Sequence, residues 1–338
     1  ELIRLRRLIH ANPELSFQEY QTAALVADTL AEIGGYTIRT QVGKTGVMAE
    51  LGDSGPIIAI RADMDALPII EANDVPYASK NPGVMHACGH DAHTAILLGV
   101  AHLLRQSYVE EKWQGRVRLL FQPAEESVDE NNISGATAMI NDKALEGLDA
   151  VIALHVSSDK PSGHFMFHDG PSLAAVDSFD AWIYGDGAHG AYPHTGSDPI
   201  FMLAPILTAI YAIPSRRINP LYSSVVSVGQ VTGGTTTNVI PNQVMLRGTM
   251  RSMLPAVREQ LWHDLEAALR MSELMGGGYK LDIAKGYPAM INDPEANDWM
   301  RDVTRELLGD DAVVASQFGM GAEDFAYMTQ KAKGAMFM

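Results

Sequence analysis

The chain has 338 residues, 46% hydrophobic and 20% charged, which supplies apolar material for a large core and excludes a disordered or fibrous protein. Lys and Arg number 25 against 41 Asp and Glu, and the formal charge of −16 argues against a nucleic-acid or anionic-membrane surface. One cysteine excludes an internal disulfide framework, no apolar run reaches the about 18–20 residues of a membrane span, and no signal peptide opens the chain, so a cytoplasmic protein is expected.

The chain opens inside a helical pattern, with Leu2, Leu5, Leu8 and Ile9 on one face. Ser16 and Glu19 have the spacing of a capping box before a helix running to about Glu32 and ended by Gly34 and Gly35. The run Ile57-Ile58-Ala59-Ile60 reads as a strand buried on both faces, and a helix follows from about Ala92 to Arg105. Residues 117–121 and 150–154 are further apolar strands. Helices between apolar strands predict a mostly parallel α/β sheet.

From about Ser172 the order becomes strand (179–184), helix (198–213), two strands (224–231 and 244–251), helix (256–275) and strand (279–284). That is the β-α-β-β-α-β order of a ferredoxin-like unit. Asp293 and Pro294 then start another helix, and the α/β style resumes. The expected organisation is a discontinuous α/β domain, 1–172 and 285–338, interrupted by a smaller α+β domain, 173–284. The chain closes on residues 334–338, which read as a buried strand just starting. Both ends therefore read as cut, and the natural protein is expected to continue past Met338.

The densest polar cluster is residues 86–93, His-Ala-Cys-Gly-His-Asp-Ala-His. In an extended segment Cys88 and His90 would project to the same side, and thiolate with imidazole suits a borderline-soft divalent ion. A Cys–His nucleophilic pair, or a helix capped by Asp91 with solvated histidines, are the alternatives. Glu125 and Glu126 follow the strand 117–121, and Pro123 ends the ladder so that both carboxylates can turn to one site. One could bind metal while the other moves a proton; an exposed acidic loop is the alternative. His155 closes the strand 150–154, and Asp63 and Asp65 close the strand that begins at Ile57. Open α/β sheets place ligands at the carboxyl ends of strands, so one convergent metal site accounts for all of these together. Residues 185–190 fit G-x-G-x-x-G, but Pro193 follows and no helix opens there, which argues against a nicotinamide-dependent oxidoreductase.

The segments 7–15, 63–68, 86–94, 121–126, 238–241 and 321–325, in this order, resemble the M20 metallopeptidase family. The likeness is greatest to its amidohydrolase branch of N-acyl-amino-acid, hippurate and auxin-conjugate hydrolases. The resemblance implies a di-metal catalytic domain and an inserted lid domain that makes a homodimer. Carried over by position, it makes Cys88, His90, Glu126 and His155 metal ligands and Glu125 the general base. It makes Asp65 an orienting acid, His189 a lid histidine that polarises the scissile carbonyl of a neighbouring site, and Asn238 and Arg251 substrate contacts. Asp63 stands where related branches have a metal-binding His, and is left out of the site. The family's last metal ligand, a histidine, is expected beyond Met338.

The expected function is hydrolysis of the amide of an N-acyl amino acid or small conjugate through metal-activated water, with two divalent ions (Mn, Zn, Co or Ni) per subunit. A non-catalytic binding protein of the same fold is the alternative.

Overall fold

The computed structural model describes residues 1–158 and 160–338. The chain divides into two compact units: Glu1–Gly170 with Ile291–Phe318 and Asp324–Met338, and Pro171–Met290 with Gly319–Glu323.

The first unit opens with helices α1 (Leu2–Ala11) and α2 (Tyr20–Ile33), then strands β1 (Thr37–Val42), β2 (Gly46–Ser54) and β3 (Ile57–Asp63). Helix α3 (His90–Glu111), strand β4 (Gly115–Gln122), helix α4 (Gly135–Asn141) and strand β5 (Ala150–Leu154) follow. Its six-stranded sheet is completed by Lys333–Phe337, which pairs in parallel with β5. The central pairings, β3 with β4 and β3 with β5, are parallel, while β2 runs antiparallel to both its neighbours. The sheet is thus mostly parallel, as the alternating helices and strands predict. Leu5, Val26, Leu30, Leu97 and Leu98 pack from the three long helices onto Val47, Ala62, Leu119 and Phe121 of the sheet. Ile58 remains 36% exposed, so β3 is not buried on both faces at its start.

The register positions the site. Asp63, the last residue of β3, lies opposite Gln122, the last residue of β4, and Arg61 lies opposite Ala153 of β5. Three carboxyl ends therefore finish nearly level, and the segments just beyond them leave the same edge.

The capping box is not formed. No side chain at position 19 caps α2; instead Glu14 reaches across and accepts from the amides of Gln21 and Thr22 at 3.0 and 2.9 Å. Ser16 and Glu19 are engaged elsewhere, because two long-range partners outcompete the local pattern. Asp293 does cap the helix Pro294–Leu308, accepting from the amides of Glu295 and Ala296.

The second unit holds strand β6 (Ala175–Tyr184), helix α5 (Pro199–Arg216), strands β7 (Ser224–Gly233) and β8 (Gln243–Ser252), helix α6 (Pro255–Leu269) and strand β9 (Gly278–Lys285). The order in the sheet is β7-β8-β6-β9, antiparallel throughout, as in a ferredoxin-like unit. Burial alternates along β6, with Phe179, Ala181 and Ile183 inward against Ile206, Ile210 and Leu265 of the helices. Helix α5 is long and apolar enough to cross a membrane by length and composition, contrary to the sequence expectation. Its buried stripe of Met202, Ile206, Ile210 and Ile213 packs instead in the core of its own unit. Within residues 185–190 the chain forms a short bridge, Ala188 and His189 opposite Ile240 and Val239, and no helix begins there.

Candidate metal centre

Residue 88 reaches the site through a turn rather than through the extended segment expected. Gly89 precedes the first residue of α3 with φ +103°, a left-handed conformation that favours glycine, and a Cβ there would stand 2.4 Å from Val156 Cγ2. The turn brings Cys88 beside His90, so the expected meeting occurs for a different backbone reason. Cys88 Sγ lies 3.3 Å from Nε2 of His155, the first residue after β5. The donor atoms of Cys88, His90 and His155 all lie within 4.8 Å of one another, as do those of His90, Glu125 and Glu126. About 3.3–3.7 Å separates the donors of a tetrahedral site built on typical Zn–S and Zn–N bonds, so this spacing fits an ion.

The hydrogen bonds fix which nitrogens face inward. His90 Nδ1 donates to the Asp65 carbonyl oxygen at 2.9 Å and lies 3.2 Å from Asp65 Oδ1. Its Nε2 is buried with no hydrogen-bond partner among the described residues, 3.8 Å from Glu126 Oε1, which also has none. His155 Nδ1 donates to the Val156 carbonyl at 2.7 Å, leaving Nε2 toward Cys88. Metal-ligating histidines characteristically donate the other ring N–H to a carbonyl or carboxylate, as both do here. Burial opposes the charged imidazolium of His90, but the Asp63 charge and the bond to Asp65 outweigh it and hold its pKa well above the usual value. A cation at Nε2 answers the same need as a proton. Burial also raises the Glu126 carboxyl, with the neighbouring imidazole of His90 working the other way.

Around this donor set lies a saturated polar shell. Asp65 Oδ1 accepts from the amide of Glu125 at 3.1 Å, and Oδ2 from the amide of Glu126 at 3.0 Å and the Ser16 hydroxyl at 2.7 Å. Asp63 accepts from Arg61 Nη1 at 2.7 Å and from His93 Nδ1 at 2.6 Å, so both its oxygens are engaged. Burial works against the Asp63 charge, yet Arg61 and the neighbouring histidines keep its pKa well below the usual range. His93 Nε2 accepts from the amide of Val156 at 2.9 Å, which ties the segment after His155 to α3. Burial lowers the His93 pKa and keeps that nitrogen an acceptor. Beneath, Arg61 also donates to Gln122 at 2.8 Å, and Gln122 to Asp324 at 2.7 Å. His93 belongs to the polar cluster 86–93 but has no role among the expected site residues, and Arg61 and Gln122 are not among them; the only signal of these two is position at a strand end.

Both carboxylates at 125 and 126 follow the strand-ending Pro123, as the sequence suggests. Ala124 between them and the strand has φ +45°, unusual for a residue with a Cβ. The amide of Gly135 donates to its carbonyl at 2.8 Å, and a Cβ on Gly135 would stand 1.5 Å from the Pro123 oxygen.

The remaining expected residues lie in the second unit. His189 is exposed on the short bridge, its Nδ1 accepting from the amide of Ala191 at 3.1 Å. The Asn238 carbonyl accepts from the amide of Gly190 at 2.8 Å, so His189 and Asn238 are neighbours. Arg251 lies on β8, opposite Val176 and Val225, and is not part of that pair. Burial alone lowers its pKa.

Imidazole, thiolate and carboxylate side chains gathered at the start of α3 and just beyond the ends of β4 and β5, with a second carboxylate beside them, could hold a metal ion and suit metal-dependent hydrolysis in an α/β fold. The model of the peptidase family M20/M25/M40 matches residues 59–338, and the chain belongs to that family. It is 42% identical over 341 residues to an N-acetyl-L-cysteine deacetylase of Bacillus subtilis, covering 99% of this chain and 79% of that protein. It is 41% identical over 300 residues to an N-acyl-L-amino acid amidohydrolase of Geobacillus stearothermophilus, covering 88% of this chain and 79% of that one. A crystal structure of a Bacillus subtilis protein described as a dinuclear metal-binding peptidase of the M20 family superposes with a TM-score of 0.86 at 33% identity, covering 99% and 87% of the two chains.

Proposed function

We propose that the protein is a metal-dependent amidohydrolase that cleaves the amide of N-acyl amino acids or small amino-acid conjugates. One observation carries this reading: His90 and His155 both donate Nδ1–H outward, leaving Nε2 beside Cys88 and Glu126. Cys88, His90, Glu126 and His155 would hold the metal, two divalent ions per subunit by analogy with the dinuclear relative. Bound there, such ions supply Lewis acidity toward water and toward a carbonyl. Glu125 takes the proton of the attacking water and delivers it to the leaving amine as the new C–O bond forms and the C–N bond breaks. Asp65 orients His90 through its side chain and carbonyl, and holds the Glu125–Glu126 turn. His189 polarises the scissile carbonyl in a homodimer formed through the second unit, and Asn238 and Arg251 meet the substrate's polar groups; their support is the resemblance and, for His189 and Asn238, their adjacency. The non-catalytic alternative has nothing to favour it, since the donor set and a second carboxylate beside it are both present. A cytoplasmic location goes with this reading.

The test is a panel of N-acyl amino acids assayed with metal-stripped protein reloaded with Mn, Zn, Co or Ni. Hydrolysis restored by at least one metal is the expected result. Equal hydrolysis by stripped and loaded protein, or none with any metal, would contradict the proposal.

A further inference from the structure

Glu19 is fully buried, and its carboxylate joins the adjacent turn at Phe17 to the distant segment at Ala124. Oε1 accepts from the amide of Phe17 at 3.0 Å and of Ala124 at 2.8 Å, and Oε2 from the Thr45 hydroxyl. Phe17 (φ +60°) and Ala124 (φ +45°) are both non-glycine residues in the left-handed region. A single oxygen therefore joins two strained turns, one of them immediately before Glu125. Such strain persists only where its surroundings over-determine it, and it concentrates at functional sites. Ser16 works from the same segment, donating to Asp65 Oδ2, which in turn accepts from the amide of Glu126. The amides of residues 124, 125 and 126 thus all donate to two buried carboxylates, Glu19 and Asp65.

We propose that Glu19, seconded by Ser16, is a positioning residue that fixes the Pro123–Glu126 turn and so aims Glu125 at the reacting water. It touches neither substrate nor metal donors. It acts by giving the amide of Ala124 a fixed, buried acceptor, without which the left-handed turn relaxes and carries the Glu125 carboxylate away. Glutamine keeps the accepting oxygen in the same place; alanine removes it, and aspartate is too short to serve Phe17 and Ala124 together. The inference rests on the role given to Glu125 above.

The experiment compares wild type, Glu19→Ala, Glu19→Gln, Ser16→Ala and, as a control that uncaps α2 away from the site, Glu14→Ala. Metal content, kcat, KM and the hydrogen-exchange protection of the 124–126 amides are measured for each. Misplacement by about 1 Å can cost about 10²-fold. Glu19→Ala should therefore lower kcat by about 10- to 100-fold, with metal content unchanged, KM nearly unchanged and the 124–126 amides deprotected. Glu19→Gln should restore most of both losses, Ser16→Ala should give a smaller loss of the same kind, and Glu14→Ala should lower Tm with kcat retained. In a Glu125→Gln background, Glu19→Ala should slow turnover no further. If Glu19→Ala does not fold, Glu19→Asp takes its place with the same expectations. Wild-type kcat in the alanine or aspartate variant, a glutamine variant no better than alanine, or full protection of the 124–126 amides without Glu19 would each overturn the proposal. A wild type that hydrolyses no amide refutes the role of Glu125 instead, and the exchange measurement still decides whether Glu19 fixes the turn.

Discussion

Gly89 lies between two of the proposed ligands, and replacing it with alanine perturbs the centre without removing any donor. Two costs follow from the structure. The residue would hold φ +103°, and a left-handed conformation costs an L-residue about 1–2 kcal/mol. Its Cβ would also stand 2.4 Å from Val156 Cγ2, next to His155. Val156 is 38% exposed and can turn or shift, so about 1 kcal/mol, at the low end of overpacking penalties, is the steric share. The sum, about 2–3 kcal/mol, is a loss of roughly 30- to 150-fold if it falls wholly on metal affinity. Metal titration by calorimetry reads this directly, with thermal unfolding of the stripped protein separating global destabilisation from ligand displacement. Val156→Ala removes the contacted methyl, so the double variant should recover the steric share and keep the backbone share. Unchanged metal affinity in Gly89→Ala, or a double variant as weak as the single one, would refute the reasoning.

Cys88→Ser exchanges a soft thiolate for a weakly coordinating hydroxyl, so metal analysis should show at least one ion lost or weakened; equal content would return Cys88 to an inert role. Arg61→Met strips the buried Asp63 of its guanidinium partner, which should cost about 3–5 kcal/mol in urea unfolding; a loss below about 1 kcal/mol would contradict the buried pairing. Burial pushes the Glu19 carboxyl up to about 7 from 4.5, so between those pH values the folded protein keeps a proton that the unfolded chain releases. Its stabilising share is complete below pH 4.5 and is lost as pH rises through about 7, a change of at most about 3 kcal/mol. Glu19→Gln should flatten the fall in urea stability across that window, and an unchanged slope would contradict the assignment.

The sequence carried the fold where one residue's neighbours decide its state. Apolar runs marked β3, β4 and β5, and the Asp293–Pro294 pair marked a helix start that the structure places at the same residues. It carried the donors for a similar reason, since Cys88, His90, Glu125 and Glu126 are clustered in sequence and His155 ends a strand. What it did not carry is what lies between distant segments. Ser16 and Glu19 have the pattern of a local cap, but Ser16 binds Asp65, 49 residues away, and Glu19 adds Thr45 and Ala124, 26 and 105 residues away, to the nearby amide of Phe17. The left-handed turns at Gly89 and Ala124 were equally hidden: the first gave the expected proximity of Cys88 and His90 for an unexpected reason. Arg61 and Asp63, two apart on β3, share a face by simple alternation, but the pairing of Asp63 with His93 depends on where α3 starts, which periodicity does not reveal.

The central claim divides two adjacent carboxylates between two tasks, and one paired measurement tests it: metal content and kcat of Glu125→Gln and Glu126→Gln on the same N-acyl amino acid. The account predicts that Glu125→Gln keeps its full metal content and loses about 10²-fold or more in kcat, because only the proton transfer is removed. Glu126→Gln should instead hold less metal. A metal-loaded Glu125→Gln enzyme with wild-type kcat, or loss of metal from both variants with no slow, loaded enzyme between them, would contradict it.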